Sequence, residues 1–475
     1  MARERRFGGT TRRDLIRAGV GAGVGMLLPK IASGQAGQPS SAPDPLSMRL
    51  TGQRVLTFNS YIRVHMIEVT REKSEGPEES DKHTPANVAA LREAFGRGWP
   101  GGRMTWGFSW RALEDQRPNY REIRKMVRGF HERYGDDVTF LPSGYFPNAY
   151  NSREQVDKDL HEGLAMASDI VGGGYRPKSV IAGFLAADNL RYLAETEGIH
   201  VCQGNIWSQY AIDNQDGDGS ISYPYYPSQE HFCKPAQGRA DFIDCVNLDG
   251  WTMDFLAARR EGFKEGFNSR MGVGPIETVG THGHELGLRQ MMETTAAHFD
   301  TGFKLNGWAW VTNCWEVSLV PKIGPPECLA RWLSEIRKRW PEATCVTQGE
   351  FGLAWRRQYR DNEKINYRFV QRGTGIGGSD ADLEIRWFMN KTFRLGLLRD
   401  WKTSGPEMVV DFTRYDQPVS EPQELTRQWS LLGRINQKQT RLQDKPILPS
   451  TMEDGERKLI LALYPELADT FRKRA

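Results

Sequence analysis

Apolar positions along this chain follow two alternating periods, and their alternation sets the expected fold class. Residues 55–58, 62–69, 104–108 and 138–141 read as short strands. Helical stripes separate them. Thr84-Pro85 reads as an N-cap with proline at N1, ahead of Val88, Leu91 and Phe95 on one face. Ile123, Met126, Val127, Phe130 and Tyr134 form a second stripe, stopped by Gly135. Ser152-x-x-Gln155 has the form of a capping box before Val156, Leu160 and Leu164. A short helix at 189–197, capped by Asp188 and stopped by Gly198, leads into a strand at 199–202. Strands at 243–248 and 344–348 follow, with a helix through Leu329, Trp332, Leu333, Ile336 and Trp340 between them. This order predicts an α/β fold with a parallel sheet, closed as a barrel over residues 50–384.

Past residue 385 the pattern changes. Apolar segments at 395–398, 408–412 and 459–463 are split by proline-rich and charged pieces. Residues 385–475 are therefore expected to form a small C-terminal domain or the closing elements of the barrel. Gly373-Thr374-Gly375-Ile376-Gly377-Gly378 matches the letters of a dinucleotide fingerprint, but no strand is predicted before it. It reads as a loop.

The first residues read as an address. Thr11-Arg12-Arg13-Asp14-Leu15-Ile16 resembles a twin-arginine export motif, followed by a glycine-rich apolar core at 18–28 and small residues at Gly34-Gln35-Ala36. Residues 1–36 are thus expected to be a signal peptide and 37–49 a linker, placing the protein in the periplasm or outside the cell. No later stretch is apolar for long enough to span a bilayer, so no transmembrane segment is expected. Seven of the 63 basic and two of the 60 acidic residues lie in residues 1–36, leaving 56 against 58 and a net charge of −2. That balance offers nothing to neutralise phosphates, and no nucleic-acid partner is expected. The six cysteines lack metal-ligand spacing and read as buried thiols.

Residues 183–232 concentrate rings and carboxylates. Trp207, Tyr210, Tyr223, Tyr225 and Tyr226 surround Asp213, Asp216 and Asp218, with Gln209 among them. Flat apolar faces beside polar groups suit a sugar, so Trp207, Gln209, Tyr225 and Tyr226 are candidate substrate contacts. Asn214 to Ile221 also matches the opening of a calcium loop, but its twelfth position is Tyr225 where a bidentate Glu belongs. Calcium therefore ranks behind zinc as a candidate metal.

In a parallel barrel, reactive groups gather where strands end. Asp249 follows the strand at 243–248 with Trp251 beside it, and Glu350 follows the strand at 344–348. They are the candidate catalytic carboxylates, because cleaving a glycosidic bond takes one protonated and one ionised carboxyl group. His282-x-His284 in an extended segment would present both rings on one side, a geometry that can share a divalent cation such as zinc. His65 is a candidate substrate contact or third ligand, and Trp315 a candidate cleft residue. His83, His131, His161 and His298 lie on predicted helices and read as packing or surface residues.

The segments GFLAADNLRYLAETEGIHVCQGNIWSQYAIDNQDGDGSISYPYYPS and THGHELG resemble an uncharacterised domain family of exported bacterial proteins. That family is similar in layout to the glycoside hydrolase/deacetylase superfamily, which implies an irregular (β/α)7-like barrel, carbohydrate substrates and often a divalent metal. The deacetylase pattern of an Asp-Asp pair on the first strand is replaced here by VLTFNSY and IRVHMIEV, and its His-x-x-x-His by His282-x-His284. No ligand set transfers residue by residue. The leading expectation is an exported carbohydrate-active hydrolase that cleaves glycosidic bonds. The alternatives are a metal-dependent polysaccharide deacetylase or amidohydrolase, and a non-catalytic glycan-binding protein.

Overall fold

The computed structural model describes residues 48–183, 185–205, 219–259, 263–264, 267–268, 270–323, 326–426, 429, 431 and 445–472. The expected signal peptide, most of the expected linker, Trp207, Gln209 and the acidic part of the calcium-like loop lie outside these residues. Seven strands run parallel: β1 (Arg54–Ile62), β2 (Thr105–Phe108), β3 (Asp137–Phe140), β4 (Val180–Ile181), β5 (Val201–Asn205), β6 (Val246–Asp249) and β7 (Ala309–Cys314). They fall into two sheets, β7-β1-β2-β3 and β4-β5-β6. A short β8 (Thr344–Val346) lies beside the first half of β1, where β2 has not yet begun.

The helices start and stop for the reasons their sequences give. Thr84 accepts from the Asn87 N–H and caps α1 (Pro85–Gly98). Gly135 takes φ 76° to end α2 (Pro118–Tyr134), and Ser152 caps α3 (Arg153–Val171). α4 (Ala187–Glu195) departs from expectation, because Asp188 lies inside its first turn. The Ala187 N–H is instead taken at 2.9 Å by the carboxylate of Glu421, far along the chain. α5 (Gly280–Ala296) and α6 (Glu327–Arg339) follow on either side of β7.

Between β6 and β7 no strand ladder forms among the described residues, and residues 223–225 fill the seam. The Tyr225 backbone pairs antiparallel with Asn247 on β6. On the other side, the Tyr223 hydroxyl donates to the Trp310 carbonyl and accepts from the Trp310 N–H, each at 3.0 Å. The Thr252 hydroxyl accepts from the Thr312 N–H at 3.0 Å, and the Thr252 N–H donates to the Thr312 carbonyl at 2.9 Å. The outer edge of β7 is thereby satisfied mostly by side chains, which removes the cost of unpaired buried backbone.

An antiparallel sheet covers this seam: β9 (Asn366–Arg372), β10 (Leu383–Asn390), β11 (Phe393–Asp400) and β12 (Met408–Arg414), paired in that order. Phe369 of β9 packs on Tyr223, and Trp387 of β10 on Phe255. The change of pattern expected at 385 thus falls inside a sheet that begins at Asn366. The glycine-rich stretch at 373–378 does follow a strand, but it connects two antiparallel strands and opens no helix. The other face of the sheet packs on α8 (Asp454–Leu463), which contains the apolar segment at 459–463. All six cysteines are buried and free.

At the N-terminal ends of the strands, α7 (Gln348–Gln358) lies across the opening. Phe351 stacks on Trp310 at 4.7 Å, and a Cβ on Gly352 would fall 2.4 Å from Val201 at the start of β5. Gln348 accepts a hydrogen bond from Asn59 and donates its backbone N–H to Thr105, the first residue of β2. This end is packed shut.

Replacing Tyr223 by Phe removes the one hydroxyl serving both edge groups of Trp310, and should cost about 2–4 kcal/mol in urea unfolding. A loss below about 0.5 kcal/mol would show that the seam does not depend on it.

Candidate functional site

With one end closed by α7, the C-terminal ends of the strands are where side chains can meet a ligand. Arg63, just past β1, is buried between two carboxylates, Nε to Glu79 and Nη2 to Glu316, each at 2.6 Å. Burial opposes the charge on Arg63, but the two carboxylates outweigh it and raise its pKa. Burial would likewise raise Glu79; the Arg63 guanidinium prevails and holds that carboxyl low. His83, fully buried 3.7 Å from Glu79, is pushed toward its neutral form by desolvation. The triad fixes the segments after β1 and β7 against each other.

Asp249 ends β6 and is 5 % exposed, with its Oδ1 accepting from the Gly250 N–H at 2.8 Å. It lines a narrow cavity of about 10 Å³ together with Trp251, Thr252, His298 and Trp387. The indole of Trp251 also neighbours Glu277: a Cβ on Gly274 would lie 3.0 Å from the Glu277 carboxylate and 3.6 Å from the ring. Trp251 is partly exposed and Glu277 is buried. Asp249 thus shares a cavity with this ring, and Glu277 flanks Gly274 together with it. Glu277 sits in a π-helical turn, Pro275–Val279, and His298 in another, Ala297–Gly302. Such turns are rare and often found at functional sites. Neither residue carries a periodic or motif signal in the sequence.

His298 is 2 % exposed, stacked on Tyr223 and packed by Phe255 and Phe369. Its Nδ1 lies 3.1 Å from the Tyr223 hydroxyl, and burial pulls its pKa down to about 3. Asp254, in the loop after Asp249, is a structural hub. It caps the short helix Phe255–Ala258 and accepts from Gln290, Gln371 and Ser379 at 2.6–2.8 Å. Burial raises its pKa despite those donors.

Several expected site residues are placed elsewhere. Glu350 stands at the closed end, where Thr347 and Glu350 form a capping box at the start of α7. Its carboxylate also pairs with Arg103 at 3.1 Å and Lys178 at 3.5 Å. Asp249 and Glu350 are therefore not a pair across one cleft. The Thr-x-x-Glu spacing at 347–350 is itself a capping signature. Tyr225, Tyr226 and Trp315 are each 1 % exposed, so none offers a ring face to a sugar in this structure. Tyr225 donates to the Phe232 carbonyl, and Tyr226 to the Tyr359 carbonyl near the closed end. His65 lies on a hairpin (His65–Glu68 with Ser74–Glu78), its Nε2 3.1 Å from Arg111.

The two histidines of the expected metal motif sit on α5, and Gly283 between them takes φ 79° and breaks the helix. His284 is exposed and its Nε2 is 2.7 Å from the Ile323 carbonyl. Desolvation lowers the pKa of the partly buried His282. Among the described residues no three His, Cys, Asp or Glu side chains gather as a ligand set, so these two do not fit a zinc site there. Nor is any described helix long and apolar enough to cross a membrane.

Set against known proteins, residues 48–389 match the family model of a domain of unknown function with a solved structure, DUF3863, and residues 394–467 match a second, DUF3864. The crystal structure of a "putative glycoside hydrolase/deacetylase" from Parabacteroides distasonis is 52 % identical, with a TM-score of 0.84 over 89 % of this chain and 100 % of that one. Puue allantoinase is 12 % identical, with a TM-score of 0.41 over 69 % of this chain and 99 % of its own. A GH57 branching enzyme from Thermococcus kodakaraensis is 11 % identical, with a TM-score of 0.37 over 68 % and 74 %. No curated protein matches the chain.

The neutral state of His298 has a consequence for acid stability. An unfolded ring gains a proton below about pH 6.5 while the folded ring stays neutral until about pH 3. Stability should therefore fall as pH drops through that window, by about 2 kcal/mol between pH 6.5 and 5. Urea unfolding at both pH values should show that loss, and His298→Gln should reduce it. An unchanged slope in the variant would assign the loss to other groups.

Proposed function

Because the chain belongs to the DUF3863 family and shares its fold with a protein described as a glycoside hydrolase/deacetylase, we propose that it is an exported carbohydrate-active hydrolase acting on glycosidic bonds. In this reading the seven parallel strands are an irregular β/α barrel whose seam is filled by residues 223–225. One observation carries the proposal: Asp249 lines one cavity with the partly exposed Trp251, and Glu277 and the same indole both flank Gly274, at the end opposite the closed one. For a sugar ring laid on the indole, one of these carboxyl groups would protonate the leaving oxygen and the other would serve as base or nucleophile. Export rests on the twin-arginine pattern at Arg12-Arg13.

The deacetylase alternative is separated by what is released. Glycosidic cleavage produces reducing ends without metal dependence, whereas a deacetylase would release acetate in a metal-dependent way. On a panel of oligosaccharides, Asp249→Asn and Glu277→Gln should each lower hydrolysis by about 100-fold or more. Glu350→Gln should leave the rate within about threefold while lowering stability by about 1–3 kcal/mol, because Arg103 and Lys178 lose their shared anion. Full activity in both carboxylate variants, or no turnover of any glycan, would overturn the assignment.

A further inference from the structure

His298 has a ring nitrogen with no hydrogen-bond partner among the described residues, although the ring is 2 % exposed. That atom is Nε2. The bonds around Tyr223 decide which nitrogen carries the proton. Trp310 turns both its N–H and its carbonyl toward the seam, and the Tyr223 hydroxyl meets each at 3.0 Å. The single hydroxyl hydrogen must go to the Trp310 carbonyl, since that carbonyl has no other donor in the seam. The Tyr223 oxygen then accepts twice, from Trp310 N–H and from His298 Nδ1 at 3.1 Å. The opposite tautomer would leave an Nε2–H unpaired and make Nδ1 compete with the Trp310 carbonyl for one hydroxyl hydrogen, orphaning one of the two. Nδ1 is thus protonated and Nε2 is a bare acceptor.

His298 lines the cavity beside Asp249 and Trp251, whereas Tyr223, which holds its Nδ1, does not. The cavity, of about 10 Å³, has room for one hydroxyl-sized group. Its other walls include Asp249 and Trp251, the residues of the proposed site, with Ser222 and Thr252 adding hydroxyls. An apolar substituent would leave Nε2 unsatisfied, and a cation would meet a ring enclosed by Tyr223, Phe255 and Phe369. A neutral O–H donor fits.

We infer that the cavity beside the end of β6 is a subsite for one hydroxyl of a carbohydrate whose ring lies against Trp251, with His298 Nε2 as the acceptor that positions it. The inference rests on the carbohydrate reading above. His298 is a positioning residue in this account: it fixes where the sugar sits relative to Asp249 and takes no part in proton transfer.

The test begins with nitrogen-15 NMR of the histidine rings in the full-length protein. The free protein should show His298 neutral with the proton on Nδ1; a proton on Nε2 or a charged ring near neutral pH would overturn the inference. Glucose, galactose, mannose, xylose and N-acetylglucosamine are then titrated in turn. At least one should shift the His298 Nε2 resonance, and His298→Phe should weaken that sugar's binding about tenfold. His298→Gln, which keeps an acceptor, should stay within about threefold. In hydrolysis the Phe variant should raise KM more than it lowers kcat. If Asp249-dependent hydrolysis is intact while no sugar moves Nε2, the subsite is wrong and the hydrolase reading stands. If a sugar moves Nε2 but no glycan is cleaved, the subsite stands and the hydrolase reading fails. If neither is seen, both fail.

Discussion

The rest of the structure depends on how the outer edge of β7 is satisfied. A parallel strand at the boundary of a sheet leaves N–H and carbonyl groups that must find partners when buried. Here β6 does not pair with β7. Tyr223 and Thr252 bond the four edge groups of Trp310 and Thr312. Because side chains do this work, a wedge formed by residues 223–225 and Thr252 takes the place of a ladder in the gap between β6 and β7. His298 stacks on Tyr223 of that wedge and lines a cavity with Asp249 and Trp251. The antiparallel sheet covers the gap from outside, so the C-terminal third of the chain is part of the same construction.

The two ends of the parallel strands have different tasks. At the N-terminal end, α7 packs Phe351 onto Trp310, and Glu350 ties the helix start to Arg103 and Lys178. At the other end, buried charges are arranged around Arg63, Asp249 lines a cavity with the partly exposed Trp251, and Glu277 flanks Gly274 with the same ring. Charged groups occur at both ends. What separates them is whether each charge is consumed by a helix cap and opposite charges or stands beside a surface a ligand can reach.

Much of the fold was legible because it is written locally. Thr84, Gly135 and Ser152 act on their own turns, and the strand–helix alternation follows from short-range periodicity. The site was less legible because its features are long-range. Glu421 takes over the cap expected of Asp188 from across the molecule. Tyr225, Tyr226 and Trp315 have the composition of a sugar platform, but burial is set by packing from distant segments, and composition does not report it. Glu350 does follow a strand, yet its spacing from Thr347 makes it a helix cap, a local signal that the sequence carries as plainly as the strand end. Glu277 and His298 lie in π-helical turns, which have no period that a sequence displays.

Native-state hydrogen exchange of the β7 amides tests the seam most directly. Ala309 donates to the Gln53 carbonyl beside β1, whereas Trp310 and Thr312 donate only to side-chain hydroxyls. If those hydroxyls close the edge, the Trp310 and Thr312 amides exchange as slowly as that of Ala309, all three opening only with global unfolding. Rapid exchange at Trp310 and Thr312 beside a protected Ala309 would mean that the seam is open to water, and the wedge, the cavity and the His298 proton assignment would fall together.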